Sequence, residues 1–176
     1  MNMNEKEFHI ALTGHRPDKL DGYNLSTKYY KKLHDSLASF IIRQVDERPD
    51  TLIWGHSGLA LGADTVWAAA ILTAKKHRPG RVKFFAEIPT LGQSNKWPSQ
   101  TDKACWKAFV GQADDKKVYS DTYHGGVMQM RNKGMVDHCD ILLSLWDKTP
   151  GGTANATKYA ESAGKKVVYI NPNSFR

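Results

Sequence analysis

The sequence predicts a single α/β domain over residues 1–176, a Rossmann-like three-layer fold with a mainly parallel sheet between two layers of helices. Three observations predict it. Short apolar runs alternate with longer segments of helical period along the whole chain. These runs are rich in Val, Ile and Leu, as are strands buried on both faces. No linker or internal repeat divides the chain, and alternation of this kind favours parallel pairing through helical crossovers.

Six apolar runs are predicted as strands, each closed by turn residues. They cover residues 8–12, 51–54, 82–86, 118–119, 141–146 and 166–170. Gly55 is expected to end the second strand and Pro89 to follow the third. Helical period predicts helices over residues 26–46, 59–76, 102–113, 128–137 and 154–163, the last closed by Gly164.

Composition restricts the class of protein. The chain is 40% hydrophobic with 14 glycines, which is typical of a globular domain. No apolar run approaches the roughly 20 residues that span a bilayer, so no membrane partner is expected. Cys105 and Cys139 form no CxxC pair, which argues against a disulfide scaffold and favours a reducing cytoplasm. A formal charge of +7 points to an anionic partner.

Ligands of open parallel sheets bind beyond the carboxyl ends of the strands, so the segments after each strand are informative. The segment 13–17 after the first strand offers a glycine for close backbone approach and Arg16 as a fork for phosphate. The alternative is a turn with a solvated arginine. The glycine-rich segment 55–64 suits an anion at a helix N-terminus, without the GK[ST] of a P-loop. Alternatively, Gly62 serves close packing and Asp64 is a buried anchor.

Two further segments predict contacts to a ligand. The long loop 87–98 carries Trp97, which either stacks on a base or attaches its loop to the core. Pro-Gly-Gly-Thr at 150–153 opens a helix with consecutive N–H groups and a hydroxyl, the clearest anion-binding turn in the chain, although an ordinary capped turn is the alternative. The predicted ligand-binding residues are Gly14, His15, Arg16, Ser57, Gly58, Gly62, Asp64, Pro89, Gln93, Trp97, Arg131, Asn132, Trp146, Gly151, Gly152, Thr153 and Asn155.

Metal and serine-nucleophile patterns are missing from the sequence. The seven His stand in neither HxH nor HExxH, and no GxSxG surrounds Ser57. The sequence therefore predicts no metal ion and requires no cofactor.

Five ordered motifs, at 13–17, 57–64, 92–98, 128–137 and 146–155, resemble the YpsA/YspA-like branch of the SLOG superfamily from about residue 12 to 172. The resemblance implies a Rossmann-like domain that binds nucleotides or nucleotide-derived ligands, with phosphate held by the first turn and the Gly-Gly-Thr segment. It also implies a homodimer. The superfamily includes the DNA-processing protein DprA, with a segment similar to 57–64, and the LOG-type phosphoribohydrolases.

The chain departs from the LOG-type pattern at the group that would assist catalysis. Those enzymes are associated with Pro-Gly-Gly-x-Gly-Thr-x-x-Glu, whereas Thr153 here directly follows Gly152 and Ala156 stands three residues later. Whether the protein is an enzyme is therefore left open. The carboxylates that could substitute are Glu87, Asp64, Asp137 and Asp147.

Three functions follow from these residues. The preferred one is a sensor or sequestering protein for a nucleotide-derived ligand such as an ADP-ribose-like compound, with Trp97 or Trp146 near the base and Arg131 and Asn132 near a ribose or second phosphate. The first alternative is an N-glycosidic hydrolase of such a compound. The second is a DprA-like binder of single-stranded nucleic acid. Its candidate basic residues are Lys28, Lys31, Lys32, Lys75, Lys76, Arg78 and Arg81.

Overall fold

One sheet of six parallel strands forms the centre of the molecule. The computed structural model describes residues 5–176. The strands are β1 (Lys6–Gly14), β2 (Thr51–Ser57), β3 (Val82–Ile88), β4 (Asp115–Val118), β5 (Ile141–Leu145) and β6 (Lys166–Ile170). Their order in the sheet is β4-β3-β2-β1-β5-β6, and every neighbouring pair is parallel. The predicted fold class is thereby confirmed.

Helices cover both faces of the sheet. They are α1 (Lys28–Glu47), α2 (Ala63–His77), α3 (Gln100–Gln112), α4 (Val127–His138) and α5 (Gly152–Ser162). Short 3-10 helices span Pro17–Lys19 and Pro172–Phe175. Helices α1 and α2 pack on each other over one face, and α4 and α5 pack on each other over the other.

Strand alternation divides the buried side chains between two cores. Ile10 and Leu12 of β1 belong to the larger core under α1 and α2, while Ala11 belongs to the smaller core under α4 and α5. In β5, Leu143 faces the larger core and Leu142 the smaller one. Because successive side chains of a strand point to opposite faces, both cores draw on the same central strands.

Three predicted strands are longer than expected. Strand β2 does not stop at Gly55 but continues to Ser57, and β3 continues through Glu87 to Ile88. Gly55 does not break its strand, because β1 and β3 pair with it on both sides and the Ile71 side chain occupies the space beside it. The extension moves His56 and Glu87 from predicted loops into the sheet. Strand β1 runs from Lys6 to Gly14 instead of ending at residue 12.

Two other boundaries also differ. Strand β4 covers Asp115–Val118 instead of residues 118–119, because its main chain pairs with residues 85–88 of β3. Helix α2 begins at Ala63, four residues later than predicted, since Leu59 and Gly62 have positive φ angles of 55° and 96° that a helix does not accept. Across residues 5–176, no helix combines the length and apolar character needed to cross a membrane.

The contact between Gly55 and Ile71 predicts a sharp steric effect on stability. A Cβ at Gly55 would lie 2.5 Å from Cγ1 of Ile71, so Gly55→Ala forces α2 away from the sheet. We expect it to lower the free energy of unfolding by about 1–3 kcal/mol in urea denaturation. In an Ile71→Ala background the same substitution should cost less, and equal costs in both backgrounds would contradict the contact.

Candidate functional site

A cleft of about 370 Å³ lies at the carboxyl ends of β1 and β5. These neighbouring strands lead to opposite halves of the sheet, β1 toward β2 and β5 toward β6, and such a switch point leaves a crevice between the connections. The volume falls within the range of small-molecule sites. The cleft is lined by Leu12, Thr13, Gly14, His15, Arg16, Asp18, Lys19, Ala60, Asp64, Met128, Arg131, Asn132, Met135, Gly151, Gly152 and Thr153.

The end of β1 forms the first wall of the cleft. A Cβ at Gly14 would lie 2.4 Å from Cβ of Ala63, so α2 begins directly against this strand end. The His15 ring is buried, and its Nε2 lies 2.7 Å from Oδ1 of Asp147, which joins the ends of β1 and β5. Arg16 is exposed at the rim, and its guanidinium makes no hydrogen bond within residues 5–176. It is therefore free to bind an anion.

Asp147 organises the loop that follows β5. Its carboxylate accepts hydrogen bonds from the hydroxyl and the N–H of Thr149. The Thr149 hydroxyl has the largest influence, and together with the Thr149 N–H and His15 it lowers the pKa of Asp147 to about 2. The carboxylate is thus ionised at neutral pH and occupied in holding this loop against β1.

The N-terminus of α5 forms the opposite wall. Gly151 precedes the helix with a φ of 143°, and no side chain caps the first turn. A Cβ at Gly152 would have only Nδ2 of Asn132 nearby, at 4.0 Å, and residues 151–153 line the cleft, so the uncapped first turn of α5 is open to it. Nζ of Lys19 donates to Oγ1 of Thr149 at 2.9 Å and to the Pro150 carbonyl at 3.1 Å, which places another cation at this rim.

Arg131 forms the floor of the cleft. Its side chain is almost fully buried, and Nη1 donates to the carbonyls of Gly58 and Glu87, the latter at 3.2 Å. Nε donates to Oδ1 of Asn132 at 2.8 Å. The remaining amino group, Nη2, has no protein hydrogen-bond partner in the described part of the chain. Arg131 therefore presents one unused donor group to a ligand.

Asp64 is the acidic neighbour of Arg131. Its Oδ2 accepts from the N–H of Ala60 at 3.3 Å, and the side chain is buried beside the guanidinium. Burial raises the pKa of Asp64 and lowers that of Arg131, while the attraction between the two opposes both shifts. The pair leaves the cleft floor with little net charge, so the positive character of the cleft comes from Arg16 and Lys19, which outnumber Asp18 at the rim.

Several predicted ligand-binding residues support the cleft from behind. The Ser57 hydroxyl donates to the Asp64 carbonyl at 2.8 Å. Gln93 donates to the Gly58 carbonyl at 3.0 Å and accepts from Trp106 at 2.8 Å, which attaches the long loop to this wall. A Cβ at Gly62 would lie 2.7 Å from the His15 carbonyl, so this glycine serves close packing.

Four further predicted residues also do not line the cleft. Trp97 borders a separate cavity of about 20 Å³ beside Trp106, which matches the alternative that it attaches its loop to the core. Nε1 of Trp146 donates to the Thr149 carbonyl at 2.7 Å. Asn155 is exposed on α5, and Pro89 is buried directly after β3. A base stacked in the cleft would require an indole ring in its wall, and neither tryptophan lines the cleft.

The sequence interpretation missed other lining residues. Met128 and Met135 supply apolar surface in the cleft, although methionines on a helix are more often core residues. Lys19 lies three residues after Arg16, and its place at the rim depends on the 3-10 helix Pro17–Lys19. The position of Lys19 shortly after the motif at 13–17 is the sequence signal that could have placed it at the cleft.

The four candidate carboxylates are dispersed, and only Asp64 lines the cleft. Asp137 is exposed and accepts from the Tyr159 hydroxyl, while Asp147 holds its loop. Glu87 is completely buried in β3, on the α4 side of the sheet. Burial alone raises its pKa, but hydrogen bonds from His56, Tyr119 and His138 outweigh that effect, and the net shift is downward.

The lowered pKa of Asp147 predicts a stability difference in acid. Because this pKa falls from 3.8 to about 2 on folding, the stabilisation is complete above pH 3.8 and is lost as the pH falls through 2. Relative to Asp147→Asn, the wild type should lose stability over that window in denaturant unfolding. Asp121→Asn, at an exposed carboxylate with no hydrogen-bond partner in residues 5–176, is the matched control. A constant difference between pH 6 and pH 2 would contradict the assignment.

Comparison with known proteins supports the fold described above. The chain is 28% identical to the uncharacterized SPbeta prophage-derived protein YoqJ of Bacillus subtilis (strain 168) in an alignment of 131 residues, and the match covers 66% of this chain and 75% of YoqJ. DNA processing protein A (DprA) from Streptococcus pneumoniae superposes with a TM-score of 0.61 at 16% identity over 93% of this chain.

A second DprA, from Helicobacter pylori, superposes with a TM-score of 0.54 at 15% identity over 93% of this chain. That DprA binds single-stranded DNA. The chain spans 50% and 65% of the lengths of the two DprA chains, and at these identities the likeness establishes the fold alone. The sequence model of the YspA SLOG family matches residues 10–175, nearly the whole chain. The protein therefore belongs to the YspA SLOG family.

Proposed function

We propose that the protein binds a nucleotide or a nucleotide-derived ligand, such as an ADP-ribose-like compound, and acts as a sensor or sequestering protein. One observation carries the proposal: Arg16, Arg131 and the uncapped N-terminus of α5 face one cleft of about 370 Å³. Helix N-termini attract anions through free N–H groups and the helix dipole. Two guanidinium groups beside such a terminus suit phosphate oxygens.

The remaining lining residues support the sugar and base of such a ligand. Oδ1 of Asn132 accepts from Arg131, so its NH₂ group remains a donor beside Gly152. That donor suits a ribose hydroxyl or a second phosphate. Met128 and Met135 offer apolar surface to a base, in place of the two tryptophans that the sequence suggested. The sites of the phosphates and the base are thus chemically distinct.

The carboxylates favour binding over hydrolysis. An N-glycosidic hydrolase needs a carboxylate at the reacting sugar, and of the four candidates named from the sequence Asp64 alone lines the cleft, beside the exposed Asp18 at its rim. Its Oδ2 is occupied by the Ala60 N–H, and it faces the Arg131 cation. Hydrolysis therefore stands as the alternative, with Asp64 as its catalytic residue.

The surface charges favour a small ligand over single-stranded DNA. Lys31 lies 2.7 Å from Asp35, Lys75 lies 2.7 Å from Asp114, and Arg78 lies 2.9 Å from Asp46. Three of the seven basic residues named for a nucleic-acid surface thus have acidic partners that oppose phosphate binding. Arg81 is also engaged, since it donates to three backbone carbonyls.

Location and assembly complete the proposal. Both cysteines, Cys105 and Cys139, are free thiols, which suits a reducing cytoplasm. The family resemblance supports a homodimer, and light scattering of the purified chain tests it. No cofactor besides the bound ligand is part of the proposal.

Arg16→Ala tests the phosphate site with little risk to the fold, because the side chain is exposed and makes no hydrogen bond within residues 5–176. Calorimetric titration with ADP-ribose, AMP, ADP, NAD and cyclic dinucleotides should find a ligand for the wild type and a Kd at least about tenfold weaker for the variant, as expected for one charged hydrogen bond. Arg43→Ala, at an exposed arginine of α1, should bind as the wild type does.

The same samples separate the three functions. If no compound binds the wild type, or Arg16→Ala binds equally well, the proposal fails. Free base in chromatograms of the incubated compounds, lost in Asp64→Asn, would establish the hydrolase instead. Binding of an oligothymidylate that weakens steeply with salt, without binding of any mononucleotide, would establish the nucleic-acid function.

Gly152→Ala tests whether the ligand approaches the N-terminus of α5. A methyl group fits here without a clash in the protein, yet it stands where the first N–H groups open to the cleft. We expect unchanged thermal stability and a Kd at least about tenfold weaker for the ligand found above. Gly111→Ala makes the same change on α3 in open space and should not alter binding. Equal affinities for all three proteins would place the ligand elsewhere.

A further inference from the structure

A second polar cluster lies outside the cleft, between the sheet and α4. Nδ1 of His56 and Nδ1 of His138 lie 2.9 Å and 3.0 Å from the same Glu87 oxygen, Oε1. One nitrogen from each imidazole and one carboxylate oxygen all lie within 4.8 Å of one another. His56 and Glu87 are buried, whereas the His138 side chain is 40% exposed. The cluster is therefore closed on the sheet side and open to solvent at His138.

A chain of hydrogen bonds behind His56 fits a metal-ligating tautomer. Nε2 of His56 lies 2.8 Å from Nδ1 of His9, and Nε2 of His9 lies 3.4 Å from Oε2 of Glu7. Nε1 of Trp54 donates to the other Glu7 oxygen at 3.1 Å. With a proton on each Nε2, His56 donates to His9 and His9 faces the Glu7 carboxylate. Binding of an ion would move the His56 proton from Nδ1, which hydrogen-bonds Glu87 without metal, to Nε2, and the freed Nδ1 lone pair would face the ion, as is common for metal-bound histidines.

Glu87 is held in place from its other oxygen. The Tyr119 hydroxyl donates to Oε2 at 2.6 Å, which leaves Oε1 facing the two imidazoles. Tyr119 reaches this position because Gly134 lies in the middle of α4, where a Cβ would be 2.2 Å from the tyrosine oxygen. A glycine inside a helix lowers the stability of the helix. In α4 it is needed because the Tyr119 ring packs directly against the helix at Gly134.

We propose that His56, Glu87 and His138 bind a divalent transition-metal ion of the zinc class, with water in the remaining position. Two imidazoles favour zinc-like ions over Mg²⁺ and Ca²⁺, which prefer all-oxygen sites. Ligand atoms about 2.0–2.2 Å from a tetrahedral ion lie roughly 3.3–3.6 Å apart. The two shorter separations need to widen by only a few tenths of an ångström, and the exposed His138 side chain has room to move.

The metal site is separate from the proposed nucleotide cleft. None of its three ligands lines that cleft. Within residues 5–176 the two are linked through α4, which carries both Arg131 and His138, and through the Glu87 backbone, whose carbonyl accepts from Arg131 at 3.2 Å. Failure of nucleotide binding therefore says nothing against the metal site, and the two proposals are tested by different ligands.

The test is titration of the chelator-treated full chain with Zn²⁺, followed by calorimetry and by thermal unfolding, with Co²⁺ as a spectroscopic probe. We expect one ion per chain, a raised Tm and a Co²⁺ absorption spectrum of low-coordinate, nitrogen- and oxygen-bound metal. His138→Ala removes an exposed ligand and should weaken Zn²⁺ binding at least about 100-fold. Loss of a residue that only hydrogen-bonds to a metal ligand typically weakens binding about 10- to 100-fold. Its Tm without metal should stay near that of the wild type.

His124→Ala is the matched control, because His124 is exposed and the one hydrogen bond of its ring within residues 5–176 is to the Gly125 carbonyl. It should bind Zn²⁺ as the wild type does. His9→Ala keeps all three ligands and should weaken binding about 10- to 100-fold. Wild-type protein that binds no Zn²⁺ would overturn the site, as would equal affinity in His138→Ala. The cluster would then be a hydrogen-bonded network that joins β2, β3 and α4.

Discussion

The buried guanidinium of Arg131 is the interaction on which both sites depend. Removing a cation from water is costly, so it must be satisfied by fixed oxygen atoms. Here the carbonyls at the ends of β2 and β3 accept from Nη1, and the Asp64 carboxylate lies nearby. Gly58 has to be a glycine, since a Cβ would lie 2.2 Å from Nη1. Helix α4 is thereby held against two strand ends in one register.

This register also determines what the far end of α4 contacts. His138 lies seven residues after Arg131, two helical turns or about 10 Å along the axis. Arg131 forms the cleft floor and donates to the Glu87 carbonyl. His138, at the other end of the helix, contacts the carboxylate of the same Glu87. One residue of β3 thus serves both ends of the helix, through its backbone on one side and its side chain on the other.

The sequence interpretation located the cleft better than the cluster. The cleft is built from strand ends, and segments after strands can be recognised in a sequence; Arg16, Arg131 and 151–153 do meet there. The cluster depends on residues within strands. Once β2 extends beyond Gly55 and β3 beyond residue 86, alternation turns His56 and Glu87 toward α4. The sequence prediction ended both strands too early, so it placed His56 and Glu87 in loops and did not show that both face α4.

By itself the sequence determined the α/β class, the parallel sheet and the segments that form the cleft, because apolar periodicity and glycine positions are local properties. Tertiary structure alone decided how those segments are used. Trp97 and Gln93 attach a loop, Asp147 holds another, and three residues distant in sequence converge as a candidate metal site. Such roles depend on which side chains meet across the sheet, and strand order and register set those meetings.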